Sequence, residues 1–226
     1  MTSTLPSLYY QDDLFLAFDK TCLYFFFYSI LVLYSTLAVA FFEENRIIGL
    51  PLGVPIELSA SKHLHAPTVI PVHAVYHFFH QDKCVLPQFP TKEGADKVFQ
   101  GIATSNPLFF DECFVFDELL SKSFWIMNGL KYGSTFVIYK QHPDTCHSLC
   151  AIQVVPEDQP INPRSLISLS RLCVSVKKTL LLATVNRHLE PHTTSESSST
   201  DEFMPQTSKR PQISFLKVAY INLSPS

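Results

Sequence analysis

The sequence predicts a mixed α/β protein, with a small N-terminal α/β unit followed by a larger unit of helices packed on a mixed sheet. Three observations lead there. From residue 108 onward, helical and strand-like apolar patterns follow one another in the order α-β-β-β-α-β-β. The strand-like runs "STFVIY" (134–139) and "LCAIQVV" (149–155) are joined by a turn containing Pro143 and Asp144. "TLLLATV" (179–185) is continuously apolar, as a strand covered on both faces is.

Three segments follow along the chain: residues 1–42, 43–107 and 108–226. The first is an apolar leader rich in Tyr and Phe. Within it, "TCLYFFFYSILVLYSTLAVAFF" (21–42) runs for 22 residues without a charge, a Gly or a Pro. As a helix it would reach about 33 Å, enough to cross a bilayer core. Asp12, Asp13 and Asp19 precede it and no basic region opens the chain, so it is a poor secretory signal. Lys20 before it and Glu43, Glu44 and Arg46 after it set no orientation. A membrane span, a buried apolar helix and residues added by a misplaced exon boundary all stand open for this leader.

Residues 43–107 form an N-terminal domain or connector, Pro-punctuated as far as Pro67, with a short helix expected near Ile56. "VIPVHAVYHFFHQ" then sets His73, His77 and His80 at i, i+4 and i+7 on one helical face. A metal needs converging ligands with supporting partners, and no acidic or Cys residue stands at suitable spacing, so this reads as a partly exposed helix face. In 108–226, "FFDECFVFDELLSKSFWIM" begins with Asp111 as an N-cap, keeps helical spacing to Leu120 and continues into a strand around 124–127. "NPRSLISLSRLCVSVKK" (162–178) predicts a helix capped by Asn162, with Pro163 in its first turn and Lys177 and Lys178 at its end, where cations complement the helix dipole. Residues 186–211, with "TTSESSSTDE", form a flexible, solvated insertion, and "ISFLKVAYINL" (213–223) closes the chain as a terminal strand.

Composition limits the function classes. With 46% hydrophobic residues and 19 Phe the chain is not generally disordered. Its net charge of -3 announces no global nucleic-acid binder, so RNA contact requires a local basic patch. The six Cys follow no small-domain disulfide rhythm and read as reduced thiols of an intracellular protein. Cys146, His147 and Cys150 mimic a zinc half-site but have no fourth ligand at suitable spacing. No cofactor or metal is expected.

Three blocks together resemble the tRNA-splicing endonuclease family: "GLKYGSTFVIY" (129–139), "HSLCAIQVVPED" (147–158) and "SRLCVSVKKTLLLA" (170–183). They look like that family's strand with a terminal Tyr, its His-led strand and its helix ending in a catalytic Lys. The spacings from Tyr139 to His147 and from His147 to Lys178 fit the subunit 34 type, the one associated with the 3′ splice site. "NRIIGLPLGVPIEL" (45–58) is similar to the amino-terminal block of that subunit; the leader through Phe42 is not covered. The sequence departs from the pattern at Thr135, where the family commonly has an acidic residue, and at Ser123, near which it has a Gly. Val218 stands where an aromatic is expected, with Tyr220 as a substitute.

The resemblance implies cleavage of a pre-tRNA phosphodiester by the neighbouring 2′-OH without a metal, leaving a 2′,3′-cyclic phosphate and a 5′-OH. Such a reaction needs a base near the 2′-OH, an acid near the leaving oxygen and positive charge near the phosphorane. Tyr139, His147 and Lys178 are the matching catalytic residues. An ordinary Tyr titrates near 10, so Tyr139 either has its pKa lowered by a nearby Lys or only orients the 2′-OH. His147 suits proton donation near neutrality, whereas His142, in the turn, reads as an exposed bystander. Arg171, seven residues before Lys178, would share its helical face about 10 Å away and bind a phosphate or a stacked base. The expected partners are pre-tRNA and other endonuclease subunits, paired through strand 213–223. The expected compartment is the nucleus, with membrane association through 21–42 as the alternative. Two other readings compete: a non-catalytic structural subunit, and a membrane-anchored protein of unrelated function.

Overall fold

The computed structural model describes residues 7–11, 14–18, 25–27, 30–32, 37–51, 68–86, 88–89, 91–187 and 211–219. The helix expected near Ile56, most of the insertion and Tyr220 lie outside them. The N-terminal part holds β1 (Ser7–Gln11), β2 (Leu14–Phe18), β3 (Phe25–Phe27), β4 (Ile30–Val32), α1 (Leu37–Glu44), β5 (Leu50–Pro51) and β6 (Thr68–Ile70). An antiparallel sheet runs in the order β1-β2-β6-β5, and β3 pairs with β4 separately. Stretch 21–42 is therefore not one helix: it contains two strands and the start of α1. Its aromatic and β-branched residues fit a pleated surface better than a helix. Among the described residues, no helix is long and apolar enough to cross a membrane.

After β6 come α2 (Val72–His80), α3 (Lys92–Ser105), α4 (Phe109–Ser121), β7 (Trp125–Asn128), a 3₁₀ turn (Leu130–Tyr132), β8 (Phe136–Tyr139), β9 (Cys150–Val154), α5 (Pro163–Ser175), β10 (Thr179–Asn186) and β11 (Gln212–Val218). The expected mixed sheet forms from five strands in the order β11-β10-β9-β8-β7. Every pair in it is antiparallel except β9 with β10, whose parallel pairing requires the crossover through α5. One face of the sheet carries the main core. There Phe136, Ile126 and Ile152 pack with Phe78 of α2, Phe99 of α3, and Phe109 and Phe116 of α4, all fully buried. Each such side chain contributes about 1.5–3 kcal/mol by leaving water. On the other face, Ala151, Cys173 and Leu180 meet Leu166 and Leu169 of α5.

Three local expectations change. Helix α4 starts before Asp111, which sits in the first turn and pairs with Arg187, its Oδ1 accepting from Nε at 3.0 Å. Strand β10 is less evenly covered than its apolar run suggests, with Leu181 and Thr184 half-buried between buried Leu180, Leu182, Ala183 and Val185. The α2 histidines do have acidic partners, brought by the fold from far along the chain. His73 Nε2 lies 3.0 Å from Glu112 Oε2, His77 Nδ1 2.6 Å from Asp117 Oδ1, and His80 Nε2 3.4 Å from Asp96 Oδ1. Glu112 is a buried carboxylate, and Asn106 Nδ2 also donates to it at 2.8 Å. These contacts tie α2 to α3 and α4.

Scarcity of Gly shapes the helix ends. The amide two residues past the cap of α1, α2, α4 and α5 returns to the carbonyl five residues back: Ile47 to Phe42, Lys83 to Phe78, Phe124 to Leu119 and Lys178 to Cys173. This closure needs a left-handed residue just before that amide, normally Gly. Here the four positions are Arg46, Asp82, Ser123 and Lys177, with φ of 65°, 56°, 65° and 54°. Asn162 caps the start of α5 as expected, its Oδ1 accepting from Arg164 N at 2.9 Å.

Two substitutions test this backbone. Ser123→Gly should raise stability by about 0.5–1 kcal/mol, because Gly relieves the left-handed strain. Gly129→Ala should lower it by about 2–3 kcal/mol, since a Cβ there would lie 2.5 Å from Ser134 O and 2.8 Å from Phe136 N. Urea unfolding midpoints read both, and no change at either position would show the geometry to be wrong.

Candidate active site

The sheet topology brings three chain segments to one end. β8 runs antiparallel to β9, and β10 runs parallel to β9, so the C-terminal end of β8 meets the N-terminal ends of β9 and β10. Ile138, Cys150 and Thr179 share one register row. Just beyond this last paired row lie Tyr139, Leu149 and Lys178, with Leu149 N bonded to Ile138 O at 2.8 Å. Neighbouring strands are about 4.8 Å apart, which puts the Tyr139 and Lys178 backbones roughly 10 Å from each other. His147 is exposed two residues before Leu149, at the end of the turn.

Strand alternation puts Tyr139 on the α5 side of the sheet, opposite Ile138. Tyr139 is 9% exposed, and its hydroxyl makes only a long contact of 3.9 Å with Met127 Sδ. Burial pushes its phenol pKa above 10.0, and the neighbouring Tyr132 and Cys146 push the same way. Ser148 opposes the shift, although its buried Oγ makes no hydrogen bond of normal length. Of the two roles the sequence leaves open for Tyr139, the raised phenol goes with orienting the 2′-OH and not with a pKa lowered by a nearby Lys. Lys178 Nζ instead sits over the ring of Tyr132, 5.1 Å from its centroid. A raised phenol stays protonated at neutral pH, so Tyr139 can donate a hydrogen bond there but is a weak base.

Lys178 is placed by the end of α5, not by its helical surface. The helix stops at Ser175, Val176 caps it and Lys177 turns left-handed. The shared helical face expected for Arg171 and Lys178 is thus broken, because helical spacing does not extend past Val176. Arg171 stays on the exposed surface of α5. The Lys178 amide is bonded to Cys173 O at 2.8 Å, which ties the base of this side chain to the helix end.

The fold places Tyr132 beside Lys178 and Tyr139. The turn that carries it is pinned locally. Asn128 Oδ1 accepts from Leu130 N at 2.8 Å, Tyr132 N bonds Gly129 O at 2.8 Å, and Gly133 follows with φ 62°. Thr135 is structural here: its Oγ1 accepts from Val154 N at 3.1 Å and ties β8 to β9. His142 is less free than a loop residue would be, because its ring meets Trp125 and Asp144 N donates to its Nδ1 at 3.2 Å. Of the cysteines near the turn, Cys150 is buried in the sheet while Cys146 stays half-exposed. Among the described residues, no three His, Cys, Asp or Glu side chains gather into a set that could hold a metal ion.

Local charge is basic. Where β8 stops and β10 begins, Lys140, Lys177 and Lys178 stand against one acidic residue of the β8–β9 turn, Asp144. The whole chain carries -3. A polyanion would therefore find this end of the sheet favourable even though the molecule as a whole is acidic.

Residues 109–191 match the family model described as tRNA intron endonuclease, catalytic C-terminal domain. The matched stretch runs from α4 through β10 and contains Tyr139, His147, Arg171 and Lys178. The chain is similar to the tRNA-splicing endonuclease of Saccharolobus solfataricus, 37% identical over 76 residues, which cover 34% of this chain and 42% of that one. It is also similar to that of Methanopyrus kandleri, 34% identical over 77 residues (34% and 43%), and that of Sulfolobus acidocaldarius, 33% over 73 residues (32% and 40%). The chain thus spans about two fifths of the length of the curated relatives it matches.

The geometry makes a pH prediction. Because the Tyr139 phenol is raised in the fold, its neutral form is favoured. The stability this contributes is whole below pH 10 and is lost as pH rises through the folded-state value. Absorbance titration of wild type against Tyr139→Phe should show a phenol ionising above the ordinary value; one ionising at or below 10 would contradict the burial. The cysteines should separate similarly. Burial pushes Cys150 up to about 11 and Cys84 up to about 12. At pH 8, iodoacetamide should label half-exposed Cys146 well before either.

Proposed function

We propose that this protein is a catalytic subunit of tRNA-splicing endonuclease of the subunit 34 type, cutting pre-tRNA at the 3′ splice site. The reaction is attack by the 2′-OH on the adjacent phosphodiester, leaving a 2′,3′-cyclic phosphate and a 5′-OH. One observation carries the reading: the family match covers the stretch whose topology brings Tyr139, the His147 turn and Lys178 to one end of the sheet. Lys178 supplies positive charge to the phosphorane. His147, exposed at the end of the turn, gives a proton to the leaving 5′ oxygen. Tyr139, its neutral phenol favoured by burial, orients the 2′-OH, whose proton passes to solvent water as its oxygen bonds phosphorus. Arg171 binds the substrate from the exposed surface of α5.

Partner subunits belong to this reading, since pre-tRNA is large and the basic cluster is local. The edge strand β11 is the surface offered for pairing: it is the outer strand of the sheet, and its Leu216 is 65% exposed. The nucleus is the compartment that goes with this function. Carbonate washing of fractionated membranes tests the alternative, and retention of the chain would favour an anchor within 21–42.

The chemistry is tested with enzyme purified from its own cells with its subunits, acting on pre-tRNA in EDTA. His147→Ala should slow intron release by about 10²–10⁴-fold, and Lys178→Ala by about 10²–10³-fold. Wild-type rates in either variant would sink the assignment. Tyr132→Leu should slow the step because it removes the ring under the Lys178 ammonium, whereas Tyr132→Phe should stay close to wild type.

A further inference from the structure

Trp125 is the one tryptophan of the chain. It opens β7, and the register sets it directly opposite Tyr139. Cross-strand partners have Cβ atoms about 4.5–5.5 Å apart on the same face, so the indole stands beside the phenol at the same end of the sheet. Helix α5, on that face, packs on β10 and on the 3₁₀ turn. Trp125 is half-buried. Large aromatic residues beside a charged, half-open site have a use that core residues do not: their flat faces can accept another flat ring.

The second ring is already in place. His142 meets Trp125 edge-on, with centroids 4.8 Å apart and planes at 82°. The turn holds His142 there. Thr145 N and Oγ1 both donate to its carbonyl, at 2.9 and 2.8 Å, and Asp144 N donates to Nδ1 at 3.2 Å. Nδ1 thus acts as an acceptor, with the Asp144 carboxylate 3.4 Å away ready to pair if the ring is protonated. Its side chain remains 31% exposed. Lys140 follows Tyr139 on the same turn and is exposed, offering a cation to a backbone phosphate.

We propose that Trp125, braced by His142, is a stacking platform for the unpaired nucleobase next to the scissile phosphate. The inference rests on the proposed RNA-cleaving function and adds to it a substrate-positioning site. Single-stranded RNA is gripped by aromatic faces whose stacking tolerates any base, combined with cations along the backbone. Both parts are present at this end of the sheet, Trp125 on β7 and Lys140 in the turn after β8. Trp125 acts on binding, so its loss changes affinity and leaves the bond-breaking step intact. His142 acts through Trp125 as a positioning residue.

The single tryptophan makes the test direct. The full chain is titrated with pre-tRNA carrying a 2′-deoxyribose at the cleaved nucleotide, so that it binds without being cut, while Trp125 emission is followed. Saturable quenching is expected, and an abasic substitution at the flanking nucleotide should remove it and weaken binding about tenfold. In the assembled enzyme, Trp125→Leu should raise KM about tenfold and leave the saturating single-turnover rate near wild type; Trp125→Phe should keep most of the affinity. Unquenched emission during binding that anisotropy detects would overturn the proposal. So would an abasic substrate that binds as well as the intact one, a result that does not depend on any variant folding. Quenching by RNA that the assembled enzyme fails to cut would leave the platform standing and remove the cleavage reading.

Discussion

The parallel pairing of β9 with β10 is the constraint on which the rest of this structure depends. Two parallel neighbours cannot be joined by a hairpin, so the chain must leave the sheet, cross it as α5 and return at the end where β9 began. That return puts the residue before β10 next to the residue before β9. The β8–β9 hairpin then delivers the end of β8 to the same place. Lys178, Leu149 and Tyr139 come to one end of the sheet only because the β9–β10 pairing is parallel. Were β10 antiparallel to β9, Lys178 would sit at the opposite end of the strand.

A constraint this strict needs rigid chain ends, and the chain achieves them with little Gly. The turn out of α5 is closed by Lys177 in the left-handed region and by the Lys178 amide on Cys173 O. The same closure ends α1, α2 and α4. Each left-handed non-Gly residue carries a local cost of about 1–2 kcal/mol, which the packing of the adjoining helix has to offset. For α5 that packing is the small cluster of Ala151, Cys173 and Leu180 with Leu166 and Leu169. The position of Lys178 is thus coupled to a few apolar contacts on the thinner side of the sheet.

Electrostatics divide the molecule in two. On the side of the main core, histidines of α2 meet carboxylates of α3 and α4 and close the packing between those helices. At the open end of the sheet, cations outnumber carboxylates, and a buried phenol stays protonated beside a ring that carries an ammonium. The first arrangement satisfies charges within the fold. The second concentrates positive charge at one end of the sheet.

Much of this was readable from the chain alone. Apolar periodicity gave the order of helices and strands after residue 108, Asn162 and Pro163 marked the start of α5, and the three sequence blocks pointed to the stretch that the family model matches. These are local signals, carried by residues within a turn or a strand of one another. Other features were not readable, because their causes are distant or geometric. The carboxylate partners of His73 and His77 lie 39 and 40 residues away. The end of α5 before Lys177 is a backbone event that an unbroken helical pattern conceals. The upward shift of Tyr139 arises from burial, which a strand-end position does not reveal. The sequence by itself determined the order of elements after residue 108 and which residues were candidates. Only the tertiary structure decided which side chains meet, because parallel pairing, burial and the path of a helix end are properties of the packed chain.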